Sequence, residues 1–265
     1  MKRMNRDKAL RILAPAASGL LFLILWQVVV RIGNYPPYVL PGPLDVAHSL
    51  WTDGPSLLAS LWVTFRITVA ALAAATLIGG VLAILFALSR LLEISFFPYA
   101  VMLQVTPVVA IAPLIIIWVN DTFLSLLVCA WIVAFFPIVA NTTLGLNSAD
   151  RNLAALFRLY GASRWQALRY LRIPTALPYF LAGVRISGGL ALIGAVVAEF
   201  VAGTGGAETG LASRILEAGY RLQIPRLFAA LFLLSGTGVL IFLALDRLSR
   251  ALLSKWHESA LPPEE

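Results

Sequence analysis

The sequence predicts an all-α polytopic membrane protein with six transmembrane helices, read as a single transmembrane domain over residues 1–265. Three observations predict it: 60% of the 265 residues are apolar or aromatic, only 12% are charged, and the apolar residues fall into runs about as long as a bilayer core is thick. A soluble domain carries about 25% charged residues, and a globule of this size still needs a polar exterior. The composition therefore excludes an ordinary soluble enzyme, a disordered tail and a disulfide-stapled domain. Cys129 is the only cysteine, so no intramolecular disulfide can form, and within its apolar run it reads as a small buried hydrophobe.

The six expected spans cover about residues 12–30, 67–88, 97–118, 123–140, 179–201 and 227–245. The first follows a basic stretch, but its apolar run is longer than a signal core and no A-x-A site follows, so a retained helix is expected. Gln104, Thr106, Pro107 and Pro113 interrupt the third span. Each proline removes an N–H and obstructs the carbonyl four residues before it, so a kink is expected there. Freed carbonyls at membrane depth are tolerated beside protein or a water-filled cavity, which makes these four residues candidates for a translocation path or gate. A proline-kinked packing helix is the plainer reading.

In the fifth span Gly183, Ser187, Ala191, Ala195 and Glu199 recur every four residues, a small-residue ridge that lets another helix approach closely. Glu199 is an ionisable residue in a span and joins the path or gate candidates; a structural hydrogen-bonding role is the alternative. Arg185, near the other end of the same span, is placed to snorkel. After this span come Gly203-Thr204-Gly205-Gly206 and an amphipathic stretch from Leu211 to Arg221.

Six spans put both termini on one side. That side carries fourteen of the twenty Lys and Arg and the other side five, with Arg185 inside a span. The positive-inside rule places both termini in the cytoplasm. Topology thus accounts for the net charge of +7, and no nucleic-acid partner is required. The three lysines, Lys2, Lys8 and Lys255, belong to no G-K-[ST] loop, so no phosphate-binding loop of that kind is expected. The two histidines, His48 and His257, are far apart and offer little for a metal site or a triad. No catalytic, cofactor or metal residues are assigned.

The connection between spans four and five is patterned rather than plain. Leu153, Leu156, Phe157 and Tyr160 form a helical apolar stripe, which Ser148 or Asp150 can cap. Gly161 breaks it, and Ser163-Arg164-Trp165-Gln166 is an S-x-x-Q capping box opening a second short helix that stops before Pro174. A helix–Gly–helix with exposed apolar residues beside arginines reads either as a partner-docking knob or as two helices lying in the headgroup layer.

The spacing from Gly161 through nine residues to Leu171-Arg172-Ile173-Pro174 resembles the signature loop of the permease subunits of bacterial ABC importers. The string from Tyr160-Gly161-Ala162-Ser163 to Thr175-Ala176-Leu177-Pro178 is similar to their nitrate, sulfonate and taurine branch, which includes permeases for thiamine-precursor pyrimidines. Leu40-Pro41-Gly42-Pro43, Pro107 with Ala110, Pro113, Leu114 and Trp118, and Ala198-Glu199-Phe200 match further patterns of that branch. The E-A-A triplet of the signature is Ala155-Leu156-Phe157 here, so the acidic contact is missing.

The resemblance implies a coupling loop over residues 148–174 that fits a groove of an ATPase subunit. Leu156, Phe157, Tyr160, Gly161, Ala162, Ser163, Trp165, Leu171, Ile173 and Pro174 are its expected contact residues. It further implies a homodimer in the bacterial inner membrane, two cytoplasmic ATPase subunits that hold Mg-ATP, and an external solute-binding protein. The rival from another class is a proton-coupled secondary transporter or channel that works through Glu199 without an ATPase.

Overall fold

The computed structural model describes residues 2–203 and 209–254, and of residues 2–12 only the helical backbone. Thr204, Gly205 and Gly206, together with Lys255 and His257, lie outside the described residues. Among the described residues all regular structure is helical. The helices are α1 (Lys2–Ile32), α2 (Pro43–Thr52), α3 (Gly54–Leu88), α4 (Arg90–Val105), α5 (Val108–Val119), α6 (Thr122–Asn147), α7 (Arg151–Leu159), α8 (Arg164–Ala167), α9 (Ile173–Ala202), α10 (Leu211–Tyr220) and α11 (Ile224–Leu253). A five-residue π-helical turn, Leu168–Arg172, joins α8 to α9.

Helices α3, α6 and α9 form the centre. The α6–α9 crossing is close because glycine and alanine stand where the backbones meet: a Cβ on Gly183 would lie 2.9 Å from the Pro137 carbonyl oxygen, and one on Gly194 would lie 2.8 Å from Ala130 Cα. Such small-residue contacts let helices associate where lipid removes the hydrophobic drive between them. The whole ridge of Gly183, Ser187, Ala191, Ala195 and Glu199 is buried, and Ser187 Oγ donates to the Ala134 carbonyl at 2.6 Å. Cys129 is fully buried in the same core, beside Ala112, Ala195 and Ala198.

Arg185 does more than snorkel. Its Nη1 lies 3.0 Å from Asp246 Oδ1 on α11, and Arg250 reaches the other oxygen of the same carboxylate. Asp246 thus ties α9 to α11. Helix α1 stands apart and touches α11 through Trp26, whose ring lies 5.7 Å from Phe228 and 6.1 Å from Phe232. Its apolar residues from Leu13 to Ile32 are largely exposed, as are Leu77, Val81, Ile117 and Trp118 elsewhere; a chain solvated by lipid exposes such side chains without cost.

The third expected span is corrected. It is two helices, α4 and α5, that meet at 101°, where a single kinked helix is expected from the sequence. Pro107 disfavours a helical conformation at the residue before it, and Thr106 is extended (φ −71°, ψ 122°). Two non-helical residues in succession turn a kink into an elbow. The bent pair still carries the chain from one end of the bundle to the other. It begins beside Leu88, and α6 then starts near Arg66, whose guanidinium sits 5.6 Å from the Phe123 ring. Those two points lie about 33 Å apart along α3 at helical rise. Counted as one crossing, α4 and α5 complete six.

The bundle has two dressed ends. One carries α2 and α10, whose Val46, Leu211 and Ile215 pack with Leu57 of α3 against Ala229 and Ala230 of α11. Helix α2 was hidden in the proline-rich segment: Pro43 fills its first turn, where a missing N–H costs nothing, and the Asp45 carboxylate accepts the Gly42 N–H at 2.8 Å. The other end carries α7 and α8.

Candidate functional site

Three places hold the candidate residues. The first is the α7–α8 segment. Asp150 Oδ1 accepts the N–H groups of Asn152 and Leu153 at 2.7 and 2.9 Å, which satisfies the free donors of the first turn of α7. At the far end Gly161 has φ +69°. Its N–H bonds the Arg158 carbonyl at 3.0 Å, and the Ala162 N–H bonds the Phe157 carbonyl at 2.9 Å. This paired closure is a Schellman motif, which needs a left-handed residue and therefore favours glycine. Two residues later the capping box forms in full: the Ser163 N–H donates to Gln166 Oε1 at 2.7 Å and the Gln166 N–H donates to Ser163 Oγ at 3.2 Å. Every bond that defines this turn is local, so its shape is written in the stretch from Phe157 to Gln166.

The segment is fastened to the bundle from one side. Leu168 is buried with Ala83, Leu146 and Ala176; Leu171 is also buried, and Arg172 Nη1 donates to the Ala87 carbonyl at 3.0 Å. Of the expected contact residues, Leu156, Tyr160, Gly161, Ser163, Trp165, Ile173 and Pro174 are exposed, Phe157 and Ala162 are half-buried, and Leu171 faces inward. Leu159, which the sequence reading passed over, is as exposed as its neighbour Tyr160, at 83% and 82%. The second short helix does not stop before Pro174. It widens into the π turn and runs on into α9. Pro174 has no N–H for the Tyr170 carbonyl, and a wider turn accommodates that loss.

The second place is the pairing of α9 with α10. Glu199 is 1% exposed. Its Oε2 accepts the Ala212 N–H at 2.9 Å, while Thr64 Oγ1 of α3 accepts the Leu211 N–H at 2.8 Å. The first turn of α10 therefore finds its acceptors on two other helices, and a carboxylate at a helix N-terminus is favoured by the helix dipole as well. Gly210 makes the approach possible: a Cβ there would stand 2.2 Å from Glu199 Cδ. The sequence marks this glycine only as one of several in a loop. Farther along α10, Arg214 Nε donates to Ser60 Oγ at 3.1 Å. Arg214 and Arg221 both pair with Glu217, at 2.9 and 3.0 Å. The hydrogen bond from Arg214, joined by the charges of Arg221, Arg214 and Arg226, holds the Glu217 carboxyl below its ordinary value.

Gln104, Thr106, Pro107 and Pro113 lie at the α4–α5 elbow and along α5. Gln104, Pro107 and Pro113 are exposed on this chain and Thr106 is half-buried, its hydroxyl bonded to the Met102 carbonyl at 2.7 Å. Glu199 is engaged with α10 and not with this elbow. Among the described residues no group of three or more His, Cys, Asp or Glu side chains is placed to hold a metal.

Comparison with known proteins places this architecture. The profile of the family described as binding-protein-dependent transport system inner membrane component matches residues 75–256. The chain is 38% identical over 249 residues to the riboflavin transport system permease protein RibX of Chloroflexus aurantiacus, covering 91% of this chain and 88% of that one. It is 33% identical over 243 residues to the formylaminopyrimidine transport permease protein ThiX of Halalkalibacterium halodurans, covering 91% and 95%. In fold it resembles a chain of the inward-facing MetNI methionine ABC transporter, with a TM-score of 0.63 and 20% identity over 74% of this chain and 95% of that one.

Proposed function

Since the chain belongs to the family of binding-protein-dependent transport system inner membrane components, we propose how its parts serve as the permease of an ATP-driven importer. The family and its relatives are transport permeases of ABC importers, so the chain works as a multi-pass membrane subunit with an ATPase partner and a binding protein. The exposed tip of the α7–α8 segment is the docking point for that ATPase, and Mg-ATP is held by the ATPase subunits. Both termini face the cytoplasm, the membrane is the bacterial inner membrane, and two copies of this chain form the path between them.

The observation that carries the docking reading is the Schellman turn at Gly161. It presents Leu159, Tyr160 and Trp165 to solvent on a backbone fixed by local hydrogen bonds, and a rigid apolar tip suits a groove. ATP-driven closure of the ATPases displaces the tip, α9 follows, and access alternates between the two sides as two conformations exchange. At the opposite end α10, held by Glu199, serves as part of the gate, with the α4–α5 elbow facing the path in the dimer. The relatives named for riboflavin and formylaminopyrimidine transport support a small nitrogen heterocycle as the solute class, delivered by the external binding protein.

Reconstitution tests this directly. Purified chain with its ATPase should hydrolyse ATP in response to loaded binding protein, and Gly161→Trp should abolish that response. Uptake by the chain alone, driven by a proton gradient and lost in Glu199→Gln, would instead establish a secondary transporter.

A further inference from the structure

Beside the α7–α8 tip, with Ala162 common to both, lies a cavity of about 450 Å³ bounded by the α3–α4 turn, α7, α8 and the π-helical entry to α9. Four arginines line it, Arg90, Arg158, Arg164 and Arg172, and no Asp or Glu does. Arg90 is partly answered by Glu93 at 3.4 Å. Among the described residues Arg158, Arg164 and Arg172 have no carboxylate within ion-pair distance. Arg172 is also held in place by its bond to the Ala87 carbonyl, which fixes the direction of its remaining donors.

Like charges gathered around one cavity repel, and an anion bound among them relieves the repulsion. Guanidinium groups match a phosphate in geometry and are less strongly hydrated than ammonium groups. The remaining wall is apolar, from Leu88 and Leu168, at the point where α3 ends. Basic pockets between transmembrane helices at the cytoplasmic side take lipid phosphates. Neither Tyr160 nor Trp165 lines the cavity. The site is therefore concave and basic, and of the expected contact residues of the apolar tip it takes in only Ala162.

We propose that this pocket binds the phosphodiester of an anionic lipid headgroup, seating the base of the coupling segment on the inner leaflet. The inference rests on the transport reading only in placing this end of the bundle at the cytoplasmic leaflet.

The test uses the full chain, purified in detergent and stripped of lipid, with binding of phosphatidylglycerol, phosphatidylcholine and inorganic phosphate followed by native mass spectrometry and calorimetry. Phosphatidylglycerol should bind, phosphatidylcholine should not, and inorganic phosphate should not displace the bound lipid. The double variant Arg158→Gln/Arg164→Gln, which alters two exposed side chains and leaves the Arg172 anchor intact, should bind phosphatidylglycerol about 30-fold more weakly with an unchanged helical spectrum. Equal binding of phosphatidylcholine, unchanged affinity in the double variant, or occupancy by inorganic phosphate without preference for lipid would overturn the proposal. No ATPase enters the measurement, so its failure is distinguishable from failure of the transport reading.

Discussion

Glu199 and Ala212 are joined by a 2.9 Å hydrogen bond from the Ala212 N–H to the Glu199 carboxylate, across a separation of 13 residues. A buried acid in a span is thus used to receive the first turn of the next helix. Glu199→Ala leaves the buried Ala212 N–H without its acceptor, which costs about 1–3 kcal/mol. Amide exchange at residues 211–215 should accelerate in this variant. Glu199→Gln keeps one carbonyl acceptor and should retain most of the protection. Equal loss of protection in both variants would show that the charge itself, and not the acceptor, holds α10.

Gly210 should tolerate no side chain. Its φ of −73° is ordinary, so the constraint is space and not backbone strain. Gly210→Ala forces the Glu199 carboxylate aside, and overpacking of this kind costs about 1–3 kcal/mol. The melting temperature should fall for Gly210→Ala and recover in part in Gly210→Ala/Glu199→Ala, where the obstruction is gone.

Gly161 is the opposite case. Nothing lies within 4 Å of a Cβ there, but φ is +69°. Gly161→Ala should cost about 1–2 kcal/mol through the left-handed backbone, whereas Gly161→Asn should cost less. Both variants should fold in the bundle. Coupling to the ATPase, read as stimulated hydrolysis in the reconstituted complex, should fall in the order Gly, Asn, Ala, Trp.

The Glu217 cluster sets a pH response. Its carboxyl titrates below the ordinary value of 4.5 because Arg214 donates to it and Arg221 stands beside it. A depressed value means that the cluster's contribution is full above pH 4.5 and is lost as the pH falls through the lowered one. The carboxyl ¹³C resonance of Glu217 should therefore titrate at lower pH than that of a free glutamate. In Arg214→Gln the midpoint should move back up toward 4.5.

The parts legible in the sequence are those whose causes are local. The α7–α8 turn was readable, with only the choice between Ser148 and Asp150 as cap left open, because Asp150, Gly161, Ser163 and Gln166 act within three residues of their partners. The small-residue ridge of α9 was readable as a contact face for the same reason: its period is its geometry. What escaped depends on partners far along the chain. Nothing near Arg185 announces Asp246, 61 residues away, and nothing near Thr64 announces the Leu211 N–H, 147 residues away. Likewise Pro107 signals a disturbed helix, while the size of the 101° bend depends on how α5 seats Ala112 and Ile115 against α6 and α9.

The π turn at Leu168–Arg172 has a mechanical consequence. It widens the backbone without interrupting it, so residues 164–202 form one continuous helical rod of 39 residues, roughly 58 Å long. The apolar tip sits at one end of that rod and Glu199, gripping α10, at the other. Backbone continuity makes the rod the direct link between Trp165 and the Glu199 clamp on α10, and the π turn beside Pro174 is the point at which such a rod bends; under the proposed docking, displacement of the tip would reach α10 through it.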